Sequence, residues 1–194
     1  MCVAWVLSGI LGLVLGIVAG YFKDRLPDRL IRGYALLLAS TPAFWIGLLL
    51  LMIFAVWLGW LPFGMNLPAG MTAAEAGIGV RIRHLLLPAL TLGLTGVANI
   101  TLHTREKMIA IMESDYVLFA RARGESSGYI VKRHALRNLV LPAITLQFGS
   151  ISEIFGGSVL VEQVFSYPGL GQAAIDAGLG SDVSLLLAIT VIST

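Results

Sequence analysis

The sequence predicts an all-α integral membrane protein, a polytopic helix bundle with about four complete spanning helices and part of a fifth. Three observations carry this. Of its 194 residues, 57% are hydrophobic and only 12% are charged, too little polar surface to cover a soluble globule. The apolar residues gather into five runs. The 13 basic residues fall almost entirely between alternate runs.

A spanning helix needs about 20 mostly apolar residues. The first run, Val3 to Phe22, meets that length. It has no basic leader and no small-residue cleavage pattern before Tyr21, so it reads as a spanning helix rather than a signal peptide. Its bare apolar start leads us to expect more sequence upstream. Gly12, Gly16 and Gly20 recur every four residues, the spacing that lets two helices approach closely in lipid.

The second run extends from about Gly33 to Trp60, with Ser40-Thr41-Pro42 in its middle. Pro42 removes a backbone donor and predicts a kink, with Ser40 or Thr41 satisfying the freed groups. The third run, Leu85 to about His103, carries Thr91, Thr95, Asn99 and His103 every four residues. This polar stripe predicts a helix face turned to protein or to a water-filled path. The fourth run, Pro142 to about Phe165, holds Glu153 near its midpoint, with Gln147, Ser150 and Gly157 on the same broad face. A carboxylate at that depth is costly, so Glu153 lines a path, is protonated, or is paired within the bundle. The fifth run starts at Ser184 and holds eleven residues. They rise ~16 Å, about half the hydrocarbon thickness, which predicts a truncated span.

The segment Lys23–Arg32, read as a loop, holds four basic residues, Arg105–Leu141 holds seven, and the alternate side holds Arg81 and Arg83. The positive-inside rule therefore predicts that 23–32 and 105–141 are cytoplasmic. Net charge is only +2, which does not suggest nucleic acid. The lone Cys2 excludes an intrachain disulfide and a cysteine metal cluster.

The basic segment is more structured than a plain loop requires. Ser114 can cap a helix over Asp115–Arg123, and Gly124 can end it in the left-handed conformation. Ser126 or Ser127 can cap a second helix running towards Leu139, after which Leu141-Pro142 opens the fourth run. The prediction is a helix–glycine–helix hairpin whose surface mixes cations with Tyr116, Val117 and Phe119, suited to docking a partner.

Here the sequence becomes recognisable. "ARARG" with "RHALRNLVLPAIT" resembles the cytoplasmic EAA loop of ABC importer permeases, in the dipeptide, oligopeptide and nickel branch. "STPAFWIGLLLLMIFAVWLGWLP", "LLLPALTLG" and "GGSVLVEQVFSYPGLG" resemble the same branch, in order along nearly the whole chain. Ala120 and Gly124 match the loop pattern, whereas Leu118 and Phe119 stand where that pattern has Glu-Ala. The resemblance implies a type I ABC importer permease domain over residues 1–194, with six membrane helices in the whole protein, one before Met1 and most of another after Thr194. It implies a multi-pass protein of the cell inner membrane that is not an enzyme and binds no cofactor. ATP would be used by separate cytoplasmic ATPase subunits, since no Gly-x-x-x-x-Gly-Lys-Ser/Thr occurs. Ala120, Arg121, Ala122, Arg123, Gly124, His134 and Arg137 would couple to that ATPase. Pro42, Thr91, Thr95, Asn99, Gln147 and Glu153 would line the path, shared with a second homologous permease. Val164–Asp182 would lie near an extracytoplasmic solute-binding protein. Two other readings of the residues stay open: an ion-coupled secondary transporter using Glu153, and a membrane scaffold that transports nothing.

Overall fold

The computed structural model describes residues 2–68, 70–72 and 75–193, with side chains other than those of residues 2, 152–158, 192 and 193. Its described residues form helices and loops, in the order α1 (Cys2–Tyr21), α2 (Leu26–Ser40), α3 (Ala43–Leu51), α4 (Ile78–Met112), α5 (Asp115–Ala122), α6 (Ser127–Ile130), α7 (Leu136–Val164), α8 (Leu170–Leu179) and α9 (Val183–Ser193). Two π turns extend this pattern, Met52–Trp57 after α3 and Val131–Ala135 between α6 and α7. Among the described residues α1 and α4 are each long and apolar enough to cross a membrane, and α2 with the Ala43–Trp57 stretch makes a third if the broken pair is one span.

Four expectations are corrected. The second apolar run is two helices rather than one kinked helix. Pro42 has φ −59° and ψ 140°, an extended residue at which the helical path stops before Ala43. The Ser40 hydroxyl donates to Leu37 O at 3.0 Å, supplying a partner to a carbonyl in the last turn of α2. The basic stretch 23–32 is largely helical, because α2 begins at Leu26. Its charge reflects a polar first turn. The second hairpin helix does not end near Leu139: it passes through the π turn into α7, so Pro142 lies inside α7 and not in its first turn. Lastly, Ser114 occupies the N-cap position of α5, but its hydroxyl donates back to Ile111 O and makes no cap bond.

The chain divides into two compact units. One comprises Met1–Ala4, Thr41–Gly93 and Ile151–Thr194. Its core joins Ala55, Leu87, Leu92, Val161 and Phe165. The non-helical stretch after Trp57 is pinned to this core by backbone and side-chain bonds. Met65 N donates to Phe165 O (2.8 Å), His84 Nδ1 to Gly64 O (2.8 Å) and Arg83 to Trp60 O (2.8 Å). Gly64, at φ 146°, runs so close to Phe165 O that a Cβ would stand 2.0 Å from it.

The other unit comprises Trp5–Ser40 and Leu94–Ser150. Here α1 and α4 form a close seam. A Cβ on Gly12 would meet Ile100, on Gly16 Thr104 and on Gly20 Met108, and one on Gly96 would meet Ser8. Each pair differs by the same 88 positions, so the two helices run parallel in fixed register. The carbonyls of Val97, Thr101 and Arg105 sit against the three α1 glycines, the approach that only hydrogen in place of Cβ permits. The glycine repeat read from the sequence is thus a packing surface.

Candidate coupling hairpin and polar seams

The hairpin predicted between residues 115 and 141 is present. Asp115 lies in the first turn of α5 and Arg121 in its last, signs that suit the helix dipole. Gly124 has φ 83°. Its N–H donates to Arg121 O (2.9 Å) and the Glu125 N–H to Ala120 O (3.1 Å), the paired bonds of a Schellman stop. Ser126 then caps α6, accepting from Tyr129 N at 3.4 Å.

Beneath this turn Val117, Ala120 and Ile130 are buried together against Ile111 and Met112, so the hairpin carries its own small core. His134 Nε2 lies 3.0 Å from Glu125 Oε2, bracing the turn to the start of α7. Outward it presents Leu118, Phe119 (72% exposed) and Tyr129 among Arg121, Arg123, Lys132, Arg133 and Arg137. Of the residues expected to couple, Ala120 is buried, Arg121, Ala122, Arg123, Gly124 and Arg137 are exposed, and His134 is half-buried in the brace.

The end of α4 that carries the hairpin is tied to α2. Arg105 grips Asp28 in a bidentate pair, Nε to Oδ1 at 2.5 Å and the second nitrogen to Oδ2 at 2.7 Å. Asp28 is fully buried, and its Oδ2 also accepts from Asp24 N. Lys23 meets Glu113 on the exposed side, a hydrogen bond that holds the Lys23 ammonium above its ordinary pKa. Nothing in the sequence marked Asp28, which looked like one charge among many in a loop.

The expected path residues are spread over both units. Pro42 is exposed at the α2–α3 break. Thr91 is buried, with its hydroxyl donating to Leu87 O (2.9 Å) and its methyl beside Gly47. Thr95 is half-buried, while Asn99 and His103 are exposed. Gln147 is committed to α1: its Nε2 donates to Trp5 O, and Trp5 Nε1 donates to Gln147 O at 2.7 Å. Gly9 makes room for the amide, since a Cβ there would stand 2.8 Å from it. The side chain of Glu153 lies outside the described residues. A carboxylate the sequence reading passed over is Glu162, buried in α7, which accepts from Gln172 N at 2.9 Å and so caps α8. The signal available was Gly169-Leu-Gly171: a Cβ at either glycine would collide with Glu162.

Residues 12–194 match the family model described as the binding-protein-dependent transport system inner membrane component. The chain belongs to that family. It is 37% identical over 190 residues to the oligopeptide transport system permease protein AppB of Bacillus subtilis (strain 168), covering 96% of this chain and 59% of the relative. It is 37% identical over 168 residues to the glutathione transport system permease protein GsiC of Escherichia coli (strain K12), covering 87% of this chain and 51% of that one. The corresponding protein of Shigella flexneri serotype 5b is 36% identical over the same length. The chain thus spans between half and three-fifths of the length of these relatives. Members of this permease family are transport components rather than enzymes, and the resemblance to the dipeptide and oligopeptide branch of ABC importer permeases is borne out. The all-helical fold and the membrane-length helices agree with an inner-membrane permease.

Proposed function

We propose that this chain forms the membrane part of an ATP-driven importer for peptides or related small solutes. It does no chemistry itself. The hairpin docks through Ala120–Gly124 and the flanking Leu118 and Phe119 into a cytoplasmic ATPase subunit, whose closure it passes to the bundle as a rigid-body switch. His134, through Glu125, holds the hairpin's shape. A second, homologous permease completes the path, and an extracytoplasmic binding protein delivers the solute to the α8 side. Pro42, Thr91, Thr95, Asn99, Gln147 and Glu153 are the residues assigned to that path.

The observation that carries this reading is the hairpin itself. A loop that merely joins two helices needs no core of its own, no Schellman stop and no exposed apolar ridge among cations; a lever does. Gly124 has nothing within 4 Å of where its Cβ would be, so a side chain there meets no obstacle in space, only in conformation. Gly124→Val should therefore insert and assemble yet lose coupling. In the reconstituted complex, solute-stimulated ATP hydrolysis should fall towards the unstimulated rate. Stimulation at the normal level, or transport persisting without any ATPase subunit, would refute the proposal.

A further inference from the structure

The neck of the hairpin holds a feature that coupling leaves unused. Where the π turn leads into α7, an open cavity of about 380 Å³ is lined by Tyr116, Arg133, His134, Arg137 and Asn138. Its charge is one-sided. His134 is occupied by Glu125, and among the described residues neither Arg133 nor Arg137 has an ion-pair partner. Arg133 lies over the Tyr129 ring, 5.7 Å from its centroid. Such stacking steadies a guanidinium while leaving its in-plane N–H groups to bind an anion. Asn138 Nδ2 donates to the Tyr116 hydroxyl at 3.2 Å, so the phenolic proton remains for an acceptor. Two unneutralised guanidiniums beside a hydroxyl donor are the chemistry of a phosphate site.

A second observation says what the phosphate is attached to. One turn along α7 an apolar groove of about 240 Å³ opens between α7 and α1, lined by Val140 and Ile144 on one side and Gly9, Ile10 and Leu13 on the other. Arg137, Val140 and Ile144 fall at i, i+3 and i+7, a single helical stripe. Leu141 and Phe148 beside it are 72% and 60% exposed. Because α1 is a membrane-length helix, the groove belongs at hydrocarbon depth, with the cationic cavity at the polar boundary.

We propose that Arg133, Arg137 and the Tyr116 hydroxyl hold the phosphate of an anionic phospholipid, whose acyl chain lies in the α1–α7 groove. This assigns Arg137 to the lipid and not to the ATPase. It also sets the base of the lever on the charged inner leaflet, where such lipids gather.

The test uses the complete complex in phosphatidylcholine vesicles containing phosphatidylglycerol with a photoreactive group on its acyl chain, adducts being located by peptide mass spectrometry. Adducts are expected on residues 140–147 and 9–13. The double variant Arg133→Gln/Arg137→Gln should weaken this lipid's binding about 30-fold, at about fivefold per lost cation, with all subunits still co-purifying. Photoreactive phosphatidylcholine should label these segments far less. Equal labelling by both lipids, labelling indifferent to the double variant, or no labelling because a protein segment covers the groove would each overturn the proposal. So would displacement by inorganic phosphate, which would make the cavity a free-anion site. Loss of ATPase coupling in Gly124→Val bears only on the lever, and loss of lipid adducts only on the neck.

Discussion

Adding a single methyl group at Gly16 tests the α1–α4 seam directly. The alanine Cβ would stand 2.4 Å from Thr104 Cβ, 2.7 Å from its Cγ2 and 2.8 Å from Thr101 O. Carbon atoms in contact settle ~3.5–4.0 Å apart, so the helices must part by about 1 Å. Neither a β-carbon nor a backbone carbonyl can swing aside. A gap of that size forfeits about a quarter to a half of each dispersion contact it opens, and the fixed register carries it to Gly12 and Gly20. Overpacking of this kind costs about 1–3 kcal/mol. Alanine offsets part of that through its helix propensity, about 1 kcal/mol over glycine. Gly33→Ala isolates that offset, because Gly33 lies in α2 with nothing within 4 Å of its Cβ position. The shared propensity gain cancels, so the two variants should differ by the overpacking cost alone, about 1–3 kcal/mol, Gly16→Ala being the less stable. Equilibrium unfolding in mixed micelles, followed by circular dichroism, measures the difference. Variants matching to within about 0.5 kcal/mol would refute the seam as a packing contact.

Asp28→Asn should destabilise the permease by about 3–5 kcal/mol, since Arg105 keeps its charge at 12% side-chain exposure and loses its partner. Replacing both residues by apolar ones of similar size should cost less than either single change, as a double-mutant cycle would show. Glu162→Ala should leave global unfolding nearly unchanged but loosen α8 by about 1–2 kcal/mol, the worth of a helix cap. Hydrogen exchange at Gln172 and Ala173 would register it. At Gly124, asparagine should retain more coupling than valine, because asparagine enters the left-handed region more readily; equal loss in both would point to side-chain bulk instead.

Local signals were the legible ones. The glycine spacing of α1, the stop at Gly124 and the cap at Ser126 each depend on a few neighbouring residues, and each appears where the pattern puts it. The misreadings came from longer range. Lys23–Arg32 looked like a loop because charge suggests solvent, yet Asp28 is buried through an arginine 77 positions away. Pro42 signalled a disturbance but not its extent: a kinked helix and two separate helices share the same tripeptide. Pro142 looked like a first-turn proline because the π turn that merges α6 with α7 has no composition of its own. Gln147 read as a polar group facing a path, and its bond to Trp5 lies 142 positions away. Glu162 was hidden among apolar neighbours, its role visible only once α8 folds back onto it.

The constant offset between α1 and α4 has a topological result. Two helices that traverse a bilayer in the same direction need an odd number of returns between them. The intervening chain is residues 22–77, and within it the described helices apolar enough to make that return are α2 together with the Ala43–Trp57 stretch. The chain that follows α1 must therefore climb back over the whole length of that helix, about 30 Å at 1.5 Å per residue, before α4 can start down beside it.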